Sequence, residues 1–264
     1  MIATTAAGTT ATRTTRYVEH VMGLPFSLAL RGRHTGDDAA RAAWQHTLAV
    51  LHHADRVFSP YRPDSLVSRV DRGEVSLAEA ARDADVAEVL DLGARAERAT
   101  GGAFCLHRPR PDGSTAFDPS GVVKGWAAER AAAALRALDD TDFCLSAGGD
   151  VLGRAAETPW RIGVEDPHDP GRLVAVVPVR DGAVATSGTA HRGAHLVDAR
   201  TGHAPAGVAS VTVVARSLTW ADIDATAAYA LGPDAVDWLR HRVGRSGLVV
   251  HTDGRTTVVD PVGR

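Results

Sequence analysis

The spacing of apolar positions changes along the 264-residue chain. Residues 17–30 alternate loosely and close on the apolar run from Phe26 to Leu30, which predicts a strand after the turn Met22-Gly23-Leu24-Pro25. Asp37 or Asp38 is placed to cap a helix running to about Val57, because Trp44, Leu48, Leu51 and Ala54 recur at spacings of three and four. A loop follows from Ser59 to Ser65. A second helix is expected from about Leu77 to Arg98, stopped by Gly101-Gly102. The proline- and glycine-rich stretch 107–121 reads as loop, and a third helix as starting near Val123 and carrying an alanine run to Leu138. Beyond residue 141 the pattern shortens to strands, expected at Phe143–Ser146, Trp160–Val164, Leu173–Val179, His195–Val197 and Ser210–Ala215. A fourth helix covers about Trp220–Leu231 before Gly232, a fifth Ala235–Val243, and a hairpin turning at Asp253-Gly254 ends the pattern. Helices crowd the first half and strands the second, so the expected class is α+β rather than alternating βαβ. There are no internal repeats and no GxGxxG, P-loop or GxSxG motif.

Composition narrows the function classes. Formal charge is −3, from 29 basic and 32 acidic side chains, which argues against a nucleic-acid or polybasic membrane binder. No run of 18 apolar residues is present, so no membrane insertion is expected. Met1 to Thr15 is Ala/Thr-rich without a signal-peptide pattern, which leads us to expect a disordered tail over 1–16, a single folded domain over 17–264 and a cytoplasmic location. Two cysteines, Cys105 and Cys144, are too few for a disulfide framework or a cysteine-based zinc site. Lys124 is the only lysine among the basic residues, all others being arginine. A compact ammonium kept in an arginine-using chain suggests a place where a forked guanidinium does not serve.

Four clusters carry candidate chemistry, each with a plainer alternative. Asp118-Pro-Ser-Gly121-Val-Val-Lys124-Gly125 leads into a helix, where free backbone groups and a positive end suit an anion; the alternative is a loop with a solvated lysine. Ala147-Gly-Gly-Asp150 permits close approach of backbone to a ligand, or is a tight turn between strands. Ala185-Thr-Ser-Gly188 is followed by His195, which, ahead of an Asp198-Ala-Arg-Thr201-Gly202 turn, can act as a base or proton shuttle, or is one structural histidine among 12. Asp222 and Thr226 lie four apart on one helical face and offer hard oxygen donors for Mg²⁺ or Ca²⁺; the alternative is a capping box from Thr219 to Asp222.

Taken in order, these clusters resemble the ApbE family of flavin transferases. The resemblance runs from about residue 20 to 232: Met22-Gly23, Phe58-Ser-Pro-Tyr61 with Asp64-Ser65, Thr100-Gly-Gly-Ala-Phe104, Asp118 to Gly125, and Ala147-Gly-Gly-Asp150. It continues through Trp160-Arg-Ile-Gly163, Asp166-Pro167, Thr186-Ser-Gly188, His195 to Gly202, and Asp222 to Thr226. Each motif is weak alone; the order is specific. The resemblance implies an α+β, T-fold-like single domain with a helical N-terminal half, a strand-rich C-terminal half and a ligand cleft between them. It also implies a Mg²⁺-dependent enzyme that cleaves FAD, releases AMP and places FMN on a Thr or Ser of a target flavoprotein. By position, Asp222, Thr226 and the Gly121 carbonyl match the metal ligands. Met22, Tyr61, Ala103, Phe104, Cys105, Asp118 and Lys124 match flavin-nucleotide contacts. His195 matches the catalytic histidine, with Asp222 sharing that role.

Departures from the family pattern are Leu24 for the usual Thr, Cys105 for an Asp, Ala225 for a second Asp in some relatives, Asp71 where Asn is common, and a short 104–118 segment. Two other functions compete with a transferase: a pyrophosphatase that gives FMN and AMP with water as acceptor, and a non-catalytic FAD-binding protein.

Overall fold

The computed structural model describes residues 14–110, 113–188 and 196–260. The single strand expected near the start is a hairpin, β1 (Thr14–Val21) and β2 (Leu24–Gly32). Its two-residue turn places Met22 (φ 56°) and Gly23 (φ 70°) in the left-handed region, the geometry that matches strand twist. Along β2, Phe26, Leu28 and Leu30 point into the core.

Helix α1 (Asp38–Phe58) begins where its cap predicts, with the Asp37 side chain accepting from the Ala40 amide. Its buried stripe includes Trp44, Leu48, Leu51 and Ala54. A helix that the loop signals hid, α2 (Leu66–Asp71), is capped by Ser65. The long helix expected from Leu77 to Arg98 is instead α3 (Leu77–Ala80) and α4 (Ala84–Ala99), because two caps compete. Ser76 closes a capping box with Glu79, and Asp83 accepts from the amides of Asp85 and Val86.

The expected loop at 107–121 contains a small hairpin, β3 (His107–Pro109) and β4 (Thr115–Phe117). Helix α5 (Ser120–Ala131) starts earlier than expected, so Gly121 is in its first turn, and α6 (Ala133–Arg136) follows. Next come β5 (Thr141–Ala147), β6 (Asp150–Arg154), β7 (Trp160–Asp166), β8 (Asp169–Val179), β9 (Asp181–Gly188) and β10 (Val208–Ala215). Strands β6 and β9 lack a clear apolar alternation and escape a pattern-based reading. Leu196 and Val197, expected in a strand, are irregular. Helix α7 (Leu218–Leu231), a 3-10 turn at Gly232–Asp234, α8 (Ala235–Arg240), β11 (Ser246–His251) and β12 (Thr256–Val259) complete the described chain.

Eight strands form one antiparallel sheet in the order β1-β2-β5-β6-β9-β10-β11-β12. The sheet therefore draws its edge hairpin from the helical half of the sequence. The α+β class holds, but the two halves interleave in space. Helices α1, α5 and α7 pack side by side, with α7 over β9 and β10. β5 turns Phe143, Leu145 and Ala147 into the core while its alternate residues are half-buried, the signature of a sheet with one covered face. The β7–β8 hairpin is a separate two-stranded sheet inserted between β6 and β9. Among the described residues, no helix is long and apolar enough to cross a membrane.

Candidate active site

The helix layer, the turns at one end of the sheet and the β7–β8 hairpin enclose a cleft of about 800 Å³. Every expected site residue among the described ones lines it. Met22 comes from the β1–β2 turn, Tyr61 from the loop after α1, and Ala103, Phe104 and Cys105 from the segment after α4. Asp118 comes from the turn before α5, Gly121 and Lys124 from its first turns, and Asp222 and Thr226 from α7. His195 lies outside the described residues; Leu196 and Val197, which follow it, line the cleft.

The charged centre is buried. Lys124 Nζ is 2.6 Å from Asp150 Oδ2 and 3.2 Å from Asp222 Oδ1, and each aspartate is only 2% exposed. Lys124 is thus not a solvated loop lysine. Burial opposes its charge, but Asp222 and then Asp150 outweigh that and hold the ammonium above the ordinary lysine value. Burial pushes the Asp222 carboxyl up, to about 7; Lys124 opposes the push and Asp150 adds to it. Two carboxylates share one ammonium, so the centre carries surplus negative charge that further positive charge would relieve.

Helix packing sets this geometry. A Cβ on Gly125 would lie 2.8 Å from both Asp222 Cβ and the Leu218 carbonyl oxygen, so only glycine lets α5 and α7 cross this closely. The Gly125 amide then donates to Asp222 Oδ2 at 2.9 Å. In a regular helix that amide points at the Gly121 carbonyl; here a carboxylate competes for it. The start of α7 is held from α5 as well. Glu129 Oε2 accepts from the Ser217 hydroxyl (2.6 Å), the Thr219 amide (2.9 Å) and the Thr219 hydroxyl (3.0 Å). This corrects the capping-box alternative: the N-cap of α7 is Ser217, Thr219 bonds Glu129, and Asp222 faces Lys124.

Asp222 and Asp224 show how burial divides two similar residues. Asp224 bonds Arg242 (2.7 Å) and Arg245 (2.8 Å), so its charge is fully matched and structural. Asp222 opens on the cleft beside Thr226, whose hydroxyl is 3.0 Å from that of Ser187. Gly121 adjoins Thr226, since a Cβ there would lie 3.7 Å from Thr226 Cγ2. Among the described residues, no three His, Cys, Asp or Glu side chains converge around a metal-sized space. The donors that line this part of the cleft are the Asp222 carboxylate and the Thr226 hydroxyl, both hard oxygens, with Gly121 adjoining and surplus negative charge alongside. That set fits Mg²⁺ completed by water and substrate phosphate oxygens, not a thiolate- or imidazole-bound metal.

Around this centre the walls differ. Tyr61 stands 88% exposed at the rim, whereas Phe104 is buried against Gly121. Asp118 Oδ1 accepts from the Ser120 amide and shapes the entry to α5. Cys105 Sγ accepts from the His107 amide at 3.3 Å, and burial pushes its thiol up, so it is no ready nucleophile. Asp71 is engaged outside the cleft, by Arg110 of the β3–β4 hairpin.

Sequence reasoning missed Asp150 as a side chain: its Gly-Gly-Asp motif reads equally well as a tight turn. The available signal was an acid directly after paired glycines in a chain with one lysine. Ser187 stood only inside the Thr186-Ser-Gly188 motif, and Glu129 and Ser210 carried no local signal.

Comparison with known proteins agrees with this geometry. The ApbE family profile matches residues 106–248. The FAD:protein FMN transferase of Rhodobacter capsulatus is 36% identical over 135 residues, 47% of this chain and 25% of that protein. The FAD:protein FMN transferase of Treponema pallidum is 34% identical over 161 residues, 53% of this chain and 44% of that protein. The chain therefore spans less than half the length of these relatives. The flavin transferase ApbE from Vibrio cholerae superposes with a TM-score of 0.77 at 20% identity, covering 94% of this chain and 98% of that one, a likeness of fold. With the ordered motifs meeting in one cleft and the profile covering more than half of the residues, the chain belongs to the ApbE family.

Proposed function

We propose that the chain is a Mg²⁺-dependent FAD:protein FMN transferase acting on a Thr or Ser of a target flavoprotein. The observation that carries this reading is the buried Asp150–Lys124–Asp222 cluster, short of positive charge, beside Thr226 and Gly121 in a cleft of dinucleotide size. The names of the curated relatives support the same activity.

In this reaction the acceptor hydroxyl attacks the FMN phosphorus. A P–O bond forms, the pyrophosphate P–O–P bond breaks, and AMP leaves with the bridging oxygen and its electron pair. Asp222, Thr226 and the Gly121 carbonyl would hold Mg²⁺, which when bound supplies positive charge to the two phosphates. Lys124, fixed between two carboxylates, adds a second positive charge at the same wall. Met22, Tyr61 and the Ala103–Cys105 segment flank the nucleotide, and the fixed charges need no rearrangement as the reaction proceeds. His195 takes the proton of the attacking hydroxyl, with Asp222 sharing that role.

The test is incubation of the protein with FAD, Mg²⁺ and a candidate acceptor flavoprotein, read by mass spectrometry of the acceptor and chromatography of the nucleotides. The expected result is an acceptor heavier by one FMN phosphoester, with equimolar AMP. Asp222→Ala and Asp222→Asn should lower this turnover by at least about a hundredfold while the protein still melts cooperatively. Activity of either variant near wild type removes the metal assignment. FMN and AMP released without labelled acceptor would make the protein a pyrophosphatase, and tight FAD binding without turnover a binding protein.

A further inference from the structure

Strands β9 and β10 pair with Thr186 opposite Thr212 and Gly188 opposite Ser210. Residues two apart on a strand share a face, so all four lie on one face of this pair. The two threonines satisfy each other, hydroxyl to hydroxyl, at 2.9 Å. Ser210 has no such partner, because the residue opposite it has no side chain. Its hydroxyl is buried, the residue being 3% exposed, and makes no hydrogen bond among the described residues. A Cβ on Gly188 would sit 2.9 Å from Ser210 Cβ and 2.6 Å from the Ala209 carbonyl oxygen, so only glycine fits opposite Ser210, and no side chain on β9 can partner its hydroxyl. Both residues line the cleft.

A buried hydroxyl left unpaired costs folding free energy, and native proteins keep few of them. One facing a ligand cleft is explained when the ligand supplies the partner. We propose that Gly188 and Ser210 form a hydrogen-bonding notch in the cleft wall that seats a neutral polar group of the bound nucleotide: a ring carbonyl, a ring nitrogen or a ribose hydroxyl. This rests on the reading of the cleft as an FAD site. A phosphate does not suit the notch, because a single neutral hydroxyl offers little to an anion, whereas Lys124 and the oxygen donors beside it form the charged centre. Ser210 is on this view a specificity-determining residue. It discriminates against analogues that lack the group, since those leave its hydroxyl unpaired.

The test uses the full chain as wild type, Ser210→Ala and Ser210→Val, each melted without ligand and titrated separately with FAD, FMN and AMP by calorimetry. Ser210→Ala removes an unpaired hydroxyl, so it should melt at or above the wild-type temperature yet bind FAD roughly tenfold more weakly. The same loss should recur with FMN or with AMP alone, and that arm identifies the half of the dinucleotide in the notch. Ser210→Val, which fills the notch, should bind still more weakly. Ser210→Ala binding all three within twofold of wild type overturns the notch, as does a large fall in its ligand-free melting temperature. Wild-type protein that binds none of the three overturns the FAD reading itself, and the notch falls with it.

Discussion

At the scale of single residues, the site depends on which side chains are paired and which are left short. Lys124 is the clearest case. Its ammonium reaches two carboxylates that face it from β6 and α7, and its own side chain is only 22% exposed. A guanidinium has the same charge but a wider, planar head, and the Gly125 contact with Asp222 leaves the α5–α7 crossing no slack. Lys124→Arg should therefore push its head into the cleft and weaken FAD binding by about tenfold or more, read by quenching of flavin fluorescence, while the fold persists. Unchanged affinity and turnover would mean that the site needs only a positive charge there. Met22 makes the complementary point. It is a non-glycine residue held at φ 56° in the hairpin turn that borders the cleft, a conformation that costs energy.

At the scale of elements, caps and clamps decide where each helix begins. The loop entering α1 is tied to the β5 approach by one histidine. His34 Nδ1 lies 2.7 Å from Asp37 Oδ2, and Nε2 lies 2.9 Å from Asp139 Oδ1. The hydrogen bond to Asp37, then that to Asp139, raises the His34 pKa above its ordinary 6.5. A raised histidine stabilises fully below its unfolded pKa and loses that contribution as pH climbs through the folded one. Asp37, lowered first by the Ala40 amide and then by His34, and Asp139, lowered first by His34, behave oppositely; their contribution is present above 3.8 and is lost as pH falls through their folded values. The clamp therefore holds from mildly acidic pH to somewhat above 6.5. Melts of wild type and His34→Gln should differ most near about pH 5.5 and converge by about pH 9. A constant difference across that range would show that the ring acts by packing alone. Elsewhere, Ser76 and Asp83 divide the helix that apolar spacing joins into one, because a cap acts on a single turn and the periodic pattern averages over several.

At the scale of the whole molecule, the cleft is bounded by every layer: the helices, the turns of the large sheet and the inserted β7–β8 hairpin. A ligand there contacts parts that must separate on unfolding, so binding and stability are linked. At about a hundred times its dissociation constant, FAD should add about 2.7 kcal/mol of stability. For a chain of this size that raises the melting temperature by about 5–10 °C, measured by calorimetry. No shift at saturating FAD would remove the cleft as its site. The α+β class, the extent of α1 and α7, the closing hairpin and the ordered family motifs were all readable from residue patterns, because periodicity, caps and turn glycines act over a few residues. His195 belongs with those motif-based expectations, and its role still rests on motif position. The pairing of Lys124 with Asp150 and Asp222 was not readable: it depends on a β2–β5 pairing that spans all the early helices and on a helix crossing admitted by Gly125. Nor was the unpaired Ser210 hydroxyl, since that follows from a register placing it opposite Gly188 rather than another threonine. Local pattern names the residues capable of chemistry; long-range register and packing select which of them meet, and which are left with a hydrogen bond or a charge for a ligand to complete.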